Sequence, residues 1–137
     1  MEDRKELFDQ FCNIIAKLRA PDGCPWDRKQ TAESMKKSLL EEAQEAVDAI
    51  DNKDDENLAE ELGDVLLVLA MITRIKEEEG KFAMADVISG VNEKLIRRHP
   101  HIFGDAKATT PEEVLKLWNQ VKAEEKRRKQ PCSNAGF

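Results

Sequence analysis

Apolar residues recur at intervals of three and four over five stretches of the chain, the spacing of helices with one covered face. The first stretch, residues 3–19, places Leu7, Phe8, Phe11, Ile14, Ile15 and Leu18 on one stripe, with Asp3 and Glu6 set as a capping pair. Two prolines and Gly23 then predict a loop over 20–27. A second helix starts after Thr31 or Ser34 and runs to about residue 51, burying Met35, Leu39, Ala43, Ala46, Val47 and Ile50. Asn52, Asp54 and Asp55 interrupt it and cap a third helix over about 56–79, with Leu58 and Leu62 in its first half and Gly80 as its stop. The fourth helix carries Val87, Ile88, Val91, Leu95 and Ile96 and ends before Pro100. A loop over 99–109 leads to a fifth, opened by Thr110-Pro111-Glu112-Glu113, an N-cap, a first-turn proline and two acids at the positive end of the helix dipole.

The second half of the third helix reads VLLVLAMI from Val65 to Ile72 and is apolar on every side. A helix of that kind must be covered all round, which a chain of 137 residues hardly achieves alone, so this helix is expected to contribute to a two-fold dimer interface. Charged residues make up 36% of the chain and aromatic residues 5%, with no tyrosine, a balance that favours an all-α helical bundle of about five helices over a sandwich or barrel. The expected organisation is one domain over 1–130 and a disordered tail over 131–137.

A net charge of −6 argues against binding a nucleic acid polymer but leaves room for a small phosphorylated ligand bridged by a metal ion. No apolar run is long enough to cross a bilayer, so no membrane partner is expected. The opening MEDRKELFDQ has no signal-peptide core, and Cys12, Cys24 and Cys132 are odd in number and never paired as C-x-x-C. A cytoplasmic setting is therefore expected.

Two acidic groups share a spacing: Glu41, Glu42 and Glu45 in LLEEAQEAVD, and Glu61 and Asp64 in EELGDVLL. Residues three or four apart share a helix face, and two such faces can meet if the helices pack antiparallel through a short turn. Asp64 continues the apolar stripe of Leu67 and Val68, and Glu42 and Glu45 lie among Leu39, Ala43, Ala46 and Ala49. Carboxylates at core-facing positions need compensation, either by a divalent cation with oxygen ligands, Mg²⁺ or Mn²⁺, or by Lys and Arg partners. A di-iron site fails on ligand type, because the only histidines, His99 and His101, flank Pro100 in a loop rather than forming Glu-x-x-His pairs. Those histidines read as structural or loop-capping. Lys94 and Arg98 on the fourth helix, and Trp118 and Lys122 on the fifth, each form an i,i+4 pair suited either to phosphate and base or to ordinary ion pairing and core packing.

Taken in order, Asp22-Gly23-Cys24-Pro25-Trp26-Asp27 with Gln30-Thr31, then Leu39-Leu40-Glu41-Glu42-x-x-Glu45, Glu61-Leu62-Gly63-Asp64, the run from Lys94 to Asp105, and Trp118-x-x-x-Lys122 resemble the MazG-type nucleoside triphosphate pyrophosphohydrolases over about residues 7–126. The resemblance implies an all-α, Mg²⁺-dependent enzyme (Mn²⁺ as a substitute) that splits a nucleoside triphosphate into monophosphate and pyrophosphate, working as a homodimer. Carried over by position, Glu42, Glu45, Glu61 and Asp64 would ligate the metal. Lys94 and Arg98 would hold the phosphates, and Trp118 and Lys122 would approach the nucleotide. Glu41, beside the ligands, is the candidate to orient or deprotonate the attacking water. Two departures stand out: Ala32 occupies a position where many relatives carry histidine, and several relatives have two such domains in tandem. Alternatives of other kinds are a non-catalytic helical dimer binding a nucleotide or a protein, and a narrower dUTP- or dCTP-type pyrophosphatase.

Overall fold

In the computed structural model, which describes residues 3–135 and the side chains of residues 3–129, the chain is all-α, with no strand among the described residues. It divides into two compact units, Met1–Ala85 and Asp86–Phe137. The first contains α1 (Arg4–Leu18), α2 (Pro25–Lys29), α3 (Lys36–Asp51) and α4 (Asp55–Glu78). The second holds most of α5 (Met84–Arg98), with α6 (Pro100–Phe103) and α7 (Pro111–Ala135).

Caps set the helix starts much as the polar residues predict. Asp3 accepts from the Lys5 amide, and Thr31 and Ser34 bond each other reciprocally, backbone amide to side-chain oxygen, at 2.9 and 3.0 Å. Thr110 accepts from the Glu113 amide while Glu113 reaches back to the Thr109 amide, a capping-box-like exchange whose return bond falls one residue before the N-cap of α7.

Five long helices match the apolar stretches, and two single turns fall where loops were expected. Both short helices, α2 and α6, begin with proline at the first helical position. The proline that breaks a preceding helix is also preorganised to start a new one, so the loops expected over 20–27 and 99–109 each contain a helical turn. Helix α7 ends at Ala135, and the expected disordered tail over 131–137 reaches residues outside the described part.

The core of the first unit is built by Ile15, Met35, Val68, Ala70, Met71 and Ile75, with Phe11, Leu39, Ile72 and Met84 packed against it. Ala46 and Ala49 are the buried positions of α3, small side chains that let α4 approach closely. Three burial expectations for α3 need correction: Ala43, Val47 and Ile50 are exposed. Apolar residues occupy more than one face of α3, and only the face bearing Ala46 and Ala49 meets α4. On α4, Leu62, Leu66 and Leu69 form an exposed stripe opposite the buried Val68, Met71 and Ile75.

Helices α3 and α4 are joined by Asn52, Lys53 and Asp54 alone, a connection so short that they lie side by side and antiparallel. The turn closes with the Asp54 amide donating to the Ala49 carbonyl and the Lys53 amide to that of Ile50, the paired bonds of a Schellman ending. Lys53 sits at the left-handed position of that motif with φ 54°. Asp54 then accepts from the Asn57 amide and starts α4. A Cβ in the left-handed region costs roughly 1 kcal/mol. Lys53→Gly is therefore expected to raise stability by up to about 1 kcal/mol, a gain read from the denaturant midpoint.

The loop after α1 is held by Arg19. Its guanidinium bonds both carboxylate oxygens of Glu78 at 2.8 and 2.9 Å and donates to the carbonyls of Asp27 and Gln30. A side chain at Gly23 would place its Cβ 2.3 Å from the Leu18 carbonyl oxygen, so the chain can return past the end of α1 only with glycine there.

Candidate functional site

The antiparallel α3–α4 pair brings Glu42 and Glu45 opposite Asp64 and Glu61. One carboxylate oxygen from each of the four lies within 4.8 Å of the others. Glu42, Glu61 and Asp64 are half-buried and Glu45 is exposed. Like charges this close destabilise one another unless a cation or a proton intervenes. Hydrogen bonding to Glu45 is the largest influence raising Glu42, followed by desolvation and the charges of Glu45, Asp64 and Glu41. Glu61 is pushed up to about 7, again first by hydrogen bonding to Glu45, then by desolvation and the surrounding carboxylates. With all four ionised, Glu42 Oε2 and Glu61 Oε2 are buried without a hydrogen-bond donor among the described residues.

These orphaned oxygens fit a hard divalent cation. Ligands on opposite sides of an ion with bonds of about 2.1 Å lie about 4.2 Å apart, close to the spacing the side chains already have. The cluster could bind a metal. Lys or Arg pairing, the competing form of compensation, accounts for none of the hydrogen bonds or ion pairs made by these four side chains among the described residues. Glu41 stands apart from the four: its carboxylate is exposed and lies 3.7 Å from Lys37 Nζ, one turn earlier.

The proton affinity of Glu61 has a consequence for stability. Between its ordinary value of 4.5 and about 7, the folded chain holds more protons at this site than the unfolded chain does. Metal-free protein should therefore lose stability as pH rises through that window. Melting curves across pH 4.5–7 in chelator are expected to show the fall, and Glu61→Gln to flatten it.

In the second unit the structure places Lys94 exposed on α5 and Arg98 half-buried at its end. Arg98 uses Nε and Nη2 to grip Glu125, which also takes a 2.7 Å bond from Arg97 Nε. The two guanidiniums, Arg98 first, hold the Glu125 carboxyl down at about 2. Glu125 was not singled out from the sequence, although two adjacent arginines at a helix end do call for a counter-charge. The Trp118 and His99 rings meet in a T-shaped arrangement with centroids 5.5 Å apart, and the Lys122 ammonium lies 5.8 Å from the centre of the Trp118 ring. His99 Nδ1 lies 2.6 Å from the Leu95 carbonyl, the structural role expected of it. Arg19 and Trp26 were likewise not singled out as single residues. Arg19 looks like an ordinary basic residue at a helix end, and its partners lie 8, 11 and 59 positions away.

An all-α chain whose central helix pair presents four carboxylates at one point is of the class of helical proteins that could hold a divalent metal. Residues 30–103 match the model of the MazG nucleotide pyrophosphohydrolase domain, and the chain belongs to that family. It is 50% identical over 129 residues to the nucleoside triphosphate pyrophosphohydrolase/pyrophosphatase MazG of Thermotoga maritima, covering 94% of this chain and 49% of that one. It is 41% identical over 123 residues to the nucleoside triphosphate pyrophosphohydrolase of Escherichia coli K12, covering 89% of this chain and 47% of that one. The chain thus spans about half the length of these relatives. A crystal structure of a mazG-related protein from Thermotoga maritima superposes with a TM-score of 0.71 at 28% identity, over 84% of this chain and 98% of that one. No helix among the described residues is long and apolar enough to cross a membrane.

Proposed function

We propose that the chain is a nucleoside triphosphate pyrophosphohydrolase, cutting between the α- and β-phosphates to release a nucleoside monophosphate and pyrophosphate. The observation that carries this reading is the convergence of Glu42, Glu45, Glu61 and Asp64 in a chain of the MazG family. These four would hold Mg²⁺, for which Mn²⁺ can substitute. Bound there, the ion would supply the positive charge that lets phosphate oxygens approach an acidic surface and that polarises them. Phosphoryl-type transfer otherwise needs positioning and charge neutralisation. Lys94 and Arg98 offset charge on the departing pyrophosphate, Trp118 and Lys122 approach the nucleotide, and Glu41 orients or deprotonates the water that attacks in line at the α-phosphorus. Residues 1–130 act as one domain. The setting is the cytoplasm, in keeping with Cys12 and Cys24 being free thiols.

The same reading takes the working form to be a homodimer, supported by the exposed stripe of Leu62, Leu66 and Leu69. Sedimentation should show two copies for the parent and one for Leu66→Glu.

The activity is tested by incubating the protein with a panel of ribo- and deoxyribonucleoside triphosphates and Mg²⁺. Equal amounts of monophosphate and pyrophosphate are expected, and none in chelator. Release of orthophosphate alone, or of neither product from any nucleotide, overturns the reading.

A further inference from the structure

Trp26 is 62% exposed, yet it stands on a tightly fastened segment. The Gly23 and Cys24 amides bond the carbonyls of Ala20 and Leu18 at 2.7 and 2.9 Å, before it. Arg19 clamps the Asp27 and Gln30 carbonyls after it. Gln30 in turn donates to the Trp26 carbonyl and accepts from Ser34. An indole held open to solvent by a loop with this many ties is a preorganised flat surface rather than a loose side chain.

The ring borders a cleft of about 230 Å³ whose lining also includes Glu42 and Asp64, two of the four clustered carboxylates, and Met35, Val68 and Met71 of the core. The cleft therefore joins two of the clustered carboxylates to the apolar side chains of Met35, Leu67, Val68 and Met71 and an aromatic wall, with Asp27 and Ser38 as its further polar residues. A molecule with a charged end that binds through a cation and a flat, neutral end fits this polarity. The other tryptophan is engaged differently, its Nε1 buried and its ring met by His99 and Lys122.

We propose that Trp26 is the platform on which the nucleobase of the substrate stacks while the phosphates are held at the carboxylate cluster, an assignment that rests on the pyrophosphohydrolase reading above. Every base presents a π-face, so stacking on Trp26 gives affinity with little discrimination among bases. The cleft thus selects a nucleotide over a bare polyphosphate.

Three measurements on the full chain test this. Trp26→Ala should raise KM for nucleoside triphosphates at least about fivefold with kcat little changed, and Trp26→Phe should restore most of the loss. Ribose 5-triphosphate, which has no base, should be cleaved equally by parent and Trp26→Ala. Titration with the α,β-methylene analogues of ATP and UTP plus Mg²⁺ should quench the fluorescence of the parent clearly more than that of Trp26→Phe, in which only Trp118 remains to report on the nucleotide. An unchanged KM in Trp26→Ala, equal losses with and without a base, or the same quench in Trp26→Phe each overturns the proposal. A parent that binds the analogues with Trp26 quenching but releases no pyrophosphate sinks the catalytic reading and leaves the stacking assignment standing.

Discussion

Glu42→Ala and Asp64→Ala are each expected to lower pyrophosphate release by at least about a hundredfold while the helical content stays that of the parent. The two residues stand on different helices, and removing either leaves three carboxylates where four converge. Stability should move the other way in chelator. Hydrogen bonding to Glu45, then desolvation and the charges of the neighbouring carboxylates, already disfavour the ionised form of Glu42, so deleting that carboxylate relieves the cluster and the metal-free variant should melt at or above the parent temperature. The parent should gain melting temperature on adding Mg²⁺, because an ion that binds the folded chain alone stabilises it by mass action, and the variants should gain little. Turnover within a few-fold of the parent in both variants would place the metal elsewhere. A loss of activity accompanied by a lower metal-free melting temperature would show that the acids serve the fold instead.

The second large effect lies away from the carboxylates. Arg19→Ala is expected to destabilise the protein by about 3 kcal/mol, a fall of roughly 10 °C in melting temperature. Its side chain is 8% exposed, so the variant leaves Glu78 without its bidentate partner, the Gln30 carbonyl without the Arg19 donor and the Asp27 carbonyl with the Gln30 amide in place of two donors. Gly23→Ala should do comparable damage by a different route, because its methyl group has no room beside the Lys17 and Leu18 carbonyl oxygens. Both changes loosen the segment that carries Trp26, so both should raise KM as well. A variant that keeps the parent melting temperature would mean that the loop stands without the clamp.

The long helices were legible because their apolar positions recur with helical period and several of their starts carry side-chain caps, as at Asp3, Asp54 and Thr110. The carboxylate cluster was legible for a related reason: Glu42 and Glu45, like Glu61 and Asp64, are three apart, and the polar residues 52–54 allow only a tight return. Three features were not legible. Period alone could not say which apolar face of α3 a single chain covers, hence the exposed Val47 and Ile50. A lysine is not a signal for left-handed backbone, so the conformation of Lys53 was invisible. The partners of Arg19 are brought near only by the packed helices, and nothing in its local sequence distinguishes it from the other basic residues.

The three-residue connection between α3 and α4 has a bearing on how this domain tolerates changes in length. One residue added within α3 after Glu45 would turn both glutamates by about 100° and shift them about 1.5 Å relative to the connection, carrying them out of line with Glu61 and Asp64. Insertions for labels or affinity handles belong outside residues 42–64, where a change in chain length does not reset the meeting of the two pairs.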